Sequence, residues 1–105
     1  MSVITRVVAI FVGAVDEVLH RRRGRAATVL VAADPEGALL SSAAALRRLG
    51  ARITRYDTES GTLEARVPPA ATLVRVRTVA NDGLTTRVHL EGDAPAVIRR
   101  FPDAL

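Results

Sequence analysis

The chain has no cysteine, no lysine and no tryptophan, and its aromatic side chains are Phe11, Tyr56 and Phe101 in 105 residues. Without cysteine there are no disulfides and no thiolate metal sites, and the redox compartment leaves no mark on the sequence. With so few aromatics the core is built from Val, Leu, Ile and Ala, which favours closely approaching layers. Two histidines, His20 and His89, are too far apart in sequence to suggest a metal-ligand cluster. The seven glycines stand singly, so no phosphate-cradling loop is present. Long apolar runs are also missing: Val7 to Val15 is nine residues, against about twenty for a membrane-spanning helix. Arg6 precedes that run, and Asp16 and Glu17 close it. A secretory signal is not expected either, because the basic cluster follows the apolar run and no small-residue cleavage site comes after it.

What is present suits a single globular domain. A chain of this length buries roughly two-thirds of its unfolded surface, and 49% of its residues are hydrophobic. All fifteen basic residues are arginine, against eleven acids; the absence of lysine beside so much Ala and Val reflects a high-GC coding bias. The charge is uneven. Residues 1–27 carry five arginines and two acids, and the rest carries ten arginines and nine acids. The excess is concentrated in His20-Arg21-Arg22-Arg23-Gly24-Arg25, so the high isoelectric point describes an arm rather than a basic domain. The expected division is an N-terminal amphipathic helix with an arginine arm over 1–25, and one α+β domain over 26–105.

Residues 3–19 read as the amphipathic helix: Ile4, Val7, Val8, Phe11, Val15, Val18 and Leu19 recur at the spacing of one helical face. Ala26 to Ala33 is apolar and β-branched, a buried strand. Asp34 then offers an N-cap, Pro35 suits the first helical position, and Leu39, Ala43, Leu46 and Leu49 keep a helical stripe until Gly50. The spacing predicts a helix over 35–49. Strands are expected at 51–56, 62–67, 73–79 and 84–91, joined by turns at Asp57–Gly61, Pro68–Ala71 and Asn81–Gly83.

Their alternation places Ile53, Leu63, Ala65, Val67, Val74, Val76, Leu84, Val88 and Leu90 on one face, and Arg52, Glu64, Arg66, Arg75, Arg77, Arg87, His89 and Glu91 on the other. A short last helix begins near Pro95 and is expected to stop at Pro102. The order α-β-α-β-β-β-β-α, with one apolar sheet face, predicts an α+β two-layer sandwich. Its sheet is mostly antiparallel and five-stranded, with helices on one face.

The Asp34-Pro35 cap, the Ala44-Ala45-Leu46-Arg47-Arg48-Leu49-Gly50 helix end and the stretch Arg52 to Val67 resemble small bacterial β-α-β-β-β-β-α domains. BamC-like lipoprotein domains and several uncharacterised bacterial families are of this type. The similarity covers about residues 28–101 in order of elements, and the shared letters are caps, turns and core positions. The resemblance implies a non-catalytic assembly or accessory module, often at the envelope. This chain departs from the lipoprotein version in lacking a lipobox cysteine.

The residues themselves point away from catalysis. Ser2, Ser41, Ser42, Ser60, His20 and His89 sit in no nucleophile elbow, and Ser60 is explained by its turn. No cofactor, metal site or small-molecule substrate is expected. Two surfaces remain. The first is the N-terminal helix and arm, with Ile4, Val8, Phe11, Val15, Arg21, Arg22, Arg23 and Arg25 as contacts to a protein partner or a second copy of the chain. Alternatively, residues 3–25 bind an anionic membrane surface. The second is the sheet face bearing Arg52, Arg66, Arg75, Arg77 and Arg87, a candidate for anions. Nucleic acid is the lesser option there, because Tyr56 alone could stack on a base and Glu64 and Glu91 share the face. The expected role is a non-enzymatic interaction or assembly module. The expected place is the cytoplasm, with a membrane-peripheral position as the alternative.

Overall fold

A computed structural model describes residues 10–11 and 25–105. The described elements are β1 (Ile10–Phe11), β2 (Ala26–Val31), α1 (Pro35–Arg48), β3 (Arg52–Asp57), β4 (Thr62–Val67), β5 (Thr72–Ala80), β6 (Thr86–Gly92) and α2 (Pro95–Ala104). Five strands form an antiparallel sheet in the order β2-β6-β5-β4-β3, and β1 adds two residues outside β2. Strands β3 to β6 are a meander. β2 and β3 lie at its opposite edges and point the same way, so α1 carries the chain across the whole sheet. This is the α+β architecture with helices on one face.

Local chemistry explains the main crossing. Asp34 accepts a hydrogen bond from the Gly37 amide at 2.8 Å and starts α1, with Pro35 in its first turn. The helix ends through Gly50, whose φ of +92° is open to glycine at little strain. The Gly50 amide reaches the Arg47 carbonyl at 3.0 Å and the Ala51 amide reaches that of Leu46 at 2.9 Å, which satisfies both terminal carbonyls. Ala38, Ala43 and Ala45 on the buried side let α1 approach the sheet closely.

The core lies between the sheet and both helices. Val29, Val31, Leu63, Ala65, Val74, Val76, Val88 and Leu90 meet Leu39 and Leu46 of α1 and Val97, Ile98 and Phe101 of α2. Its polar members are bonded internally. Ser42 Oγ donates to the Ala38 carbonyl at 2.8 Å, and Thr86 Oγ1 to that of Ala33 at 2.7 Å.

Four expectations need correction. Ile10 and Phe11 form a strand paired with Leu30 and Val29, where a helix over 3–19 was expected. Both residues favour extended backbone, and the outer edge of β2 offers unpaired peptide groups. The remainder of 3–19 lies outside the described residues. Pro102 does not stop α2, which runs to Ala104. The missing amide falls in the last turn, and Arg48 Nε (3.2 Å) and Nη2 hold the Ala104 carbonyl beyond it.

Leu84 is not on the apolar face but 80% exposed. Asp82 Oδ1 accepts from the Leu84 amide at 2.7 Å and the Thr85 amide at 2.8 Å, so the turn uses residues 81–85 and β6 starts at Thr86. Lastly, β3 carries a bulge between Ile53 and Arg55. Beyond it the alternation inverts, and Tyr56 lies opposite Leu63 on the helix side of the sheet.

Candidate functional site

The sheet face away from the helices is open among the described residues, and cross-strand register arranges its side chains in rows. One row runs Ala26, Glu91, Arg75, Glu64, Arg55 across five strands. The next runs Thr28, His89, Arg77, Thr62, Asp57. Toward one end come Leu30, Arg87 and Val79; toward the other, Leu73, Arg66 and Arg52. Directly opposite residues share a face with Cβ atoms about 4.5–5.5 Å apart. Six arginines therefore stand against Glu64, Glu91 and Asp57.

The first row alternates in sign, but within it the described ion pair is Arg75 Nε to Glu64 Oε2 at 3.6 Å. Arg87 Nη2 donates instead to Asn81 Oδ1 at 3.0 Å, which ties it to the β5–β6 turn. Between the two middle rows lies a shallow depression of about 350 Å³ lined by Thr62, Glu64, Arg75, Arg77, His89 and Glu91.

His89 supplies the imidazole of this depression. Its Nδ1 is 3.0 Å from Thr28 Oγ1. Partial burial pushes the imidazole below its ordinary pKa, and Arg77 and Arg87 push it further, against a weaker opposing pull from Glu91. A proton-poor imidazole between two guanidinium groups is a weak base, so the Thr28 hydroxyl gains little activation from it. The same arrangement keeps His89 neutral near pH 7 and leaves the charge of the depression to its arginines and carboxylates.

At the corner of this face the arginines stand without acids. Arg52 and Arg66 are directly opposed across β3 and β4. They line, with Arg47, Gly50, Ala51, Ile53, Pro68, Pro69 and Ala71, a cavity of about 580 Å³. Arg66 Nη1 donates to the Ala71 carbonyl at 3.1 Å. Ala71 has a φ of +56°, a left-handed conformation that disfavours a side chain. The bond between Pro68 and Pro69 is cis.

The structure thus brings Arg52, Arg66, Arg75, Arg77 and Arg87 onto one face, as their alternation implies. It adds Arg55, which simple alternation assigns to the helix side. The signal was present: a charged residue at a position due for burial beneath α1 marks a bulge. Tyr56 takes the helix side instead, where burial raises its phenol pKa, Glu36 adds to the rise and Arg47 opposes it.

Arg25 is exposed and pairs with Asp93 Oδ1 at 3.1 Å, which ties the end of the arm to the turn before α2. Phe11 contributes backbone pairing opposite Val29. Ile4, Val8, Val15, Arg21, Arg22 and Arg23 lie outside the described residues. Among the described residues no three His, Asp or Glu side chains are grouped to hold a metal ion. None of the described helices is long and apolar enough to cross a membrane. The chain matches no family model and no curated protein sequence.

Proposed function

We propose that this protein is a small non-enzymatic interaction module that docks an acidic protein partner on its open sheet face. The carrying observation is the Glu91-Arg75-Glu64-Arg55 row, flanked by Arg77 and Arg87. It gives a net positive surface with carboxylates interleaved at strand spacing. Such a surface complements a polypeptide of mixed but mainly negative charge. It suits a nucleic-acid backbone less, because Glu64 and Glu91 repel phosphates and Tyr56 lies on the other face.

The edges support docking on the face rather than strand addition. β1 occupies the β2 edge, while a bulge and Arg52 and Arg55 blunt the β3 edge. Arg21–Arg23 precede Arg25 and β2 in sequence, and the proposal gives that arm the role of a second basic contact to the same partner. The location that follows is the cytoplasm, at a membrane surface only if the arm engages lipid.

The test is a titration of the full chain with poly-L-glutamate, oligo-dT and anionic vesicles at two salt concentrations. The expected result is saturable, salt-weakened binding of poly-L-glutamate, reduced at least about tenfold in Arg75→Gln/Arg77→Gln, the worth of about one charge-assisted hydrogen bond. Tighter binding of oligo-dT, or vesicle binding that both substitutions leave intact, would overturn it in favour of a nucleic-acid or membrane module.

A further inference from the structure

The basic corner asks for a different ligand from the rest of the face. Arg47 comes from the last turn of α1, Arg52 from the start of β3 and Arg66 from the end of β4. Like charges directly opposed across a strand pair are unfavourable, yet Arg52 and Arg66 occupy such a position. Neither takes part in the described ion pairs, Arg25–Asp93 and Arg75–Glu64. No carboxylate lines the cavity between them.

The Ala71 carbonyl holds Arg66, in a turn where Ala71 keeps a left-handed φ. The negative end of the α1 dipole opposes an anion here, and Arg47 and Arg48 in the last turn offset it. The walls add apolar surface from Ile53, Pro68, Pro69 and Ala71, and the volume falls within the range of about 300–1,000 Å³ common for small-molecule sites.

We propose that this cavity binds a small organic phosphate monoester. Its dianionic head is held by Arg47, Arg52 and Arg66, and its apolar body lies against Ile53 and the Pro68-Pro69 turn. A phosphate accepts paired hydrogen bonds from guanidinium groups and offsets the charge that the three arginines leave unbalanced. The proposal is independent of the docking reading, since Arg75 and Arg77 do not line this cavity.

The experiment is amide-resolved NMR titration of the full chain with phenyl phosphate, inorganic phosphate and phenol. Phenyl phosphate should saturate, with shifts confined to residues 47–53 and 66–71. Inorganic phosphate should bind the same amides more weakly, and phenol should leave them unmoved. Arg52→Gln/Arg66→Gln should weaken phenyl phosphate at least about tenfold, and Arg75→Gln/Arg77→Gln should not. Because Arg66 also braces the turn, Arg47→Gln provides a second variant on an exposed helix position, with the same loss expected. Binding unchanged in both corner variants, or shifts spread evenly over the arginines of the open face, would overturn the proposal. Phenol binding as strongly as phenyl phosphate would do so too.

Discussion

The two faces of one sheet are made from alternate residues of the same strands, yet they do opposite work. On the helix side, Val74, Val76, Val88 and Leu90 are at most 1% exposed and pack under α1 and α2. One residue along, Arg75, Arg77 and Arg87 are solvent-exposed, with one ion pair and one side-chain hydrogen bond shared among them. Burial of apolar area stabilises in proportion to the surface removed from water, whereas exposed ion pairs contribute about 0–1 kcal/mol. Stability therefore belongs to the covered face, and the open face contributes little to it.

Substitutions graded by face sharpen this contrast. The largest loss is expected for Phe101→Ala, about 3–5 kcal/mol in urea unfolding, because Phe101 is fully buried where α2 meets the sheet. Gly92→Ala should follow at about 1–3 kcal/mol. A Cβ there would stand 2.6 Å from the Leu73 carbonyl oxygen and 2.9 Å from Val74 Cα, so β5 would have to shift. A loss below 0.5 kcal/mol would mean that the β5–β6 contact yields easily. Asp34→Ala removes the α1 cap and should cost about 1 kcal/mol by the same measurement.

Acidity gives a smaller effect, and it comes from the open face. The His89 pKa is lowered in the folded protein, so below about pH 6.5 the unfolded chain takes up a proton that the native state resists. Stability should fall as pH drops from about 6.5 to the folded value, with no further change from this group below it. His89→Gln should flatten that part of the profile, and an unchanged profile would remove His89 from the account. Smallest of all, Arg77→Gln should stay within about 0.5 kcal/mol of the parent.

Most of this frame can be read from the residues, because caps and turns act locally. Asp34, Gly50, Gly61 and the alternation from Leu63 to Val76 each determine their own segment. The misreadings arise where a distant partner or a single hydrogen bond decides. Ile10 and Phe11 are compatible with helix or strand, and the edge of β2 resolves them. Pro102 sits in the last turn of α2, and Arg48, far away in sequence, bonds the carbonyl at the helix end. Leu84 fits the alternation of β6, but the Asp82 side chain holds it in the turn and the strand starts two residues later, at Thr86. The bulge at Thr54 exchanges Arg55 and Tyr56, and so decides that the open face carries a cation rather than an aromatic ring. Five of the six arginines of the face are visible in the pattern; the Arg47–Arg52–Arg66 corner is not, because it joins a helix end to two strand ends.

The most direct test measures stability and binding on one variant, Arg75→Gln/Arg77→Gln/Arg87→Gln. The expected result is an unfolding free energy within about 1 kcal/mol of the parent together with loss of poly-L-glutamate binding. Marked destabilisation with binding intact would contradict it, for the open face would then serve the fold and not a partner.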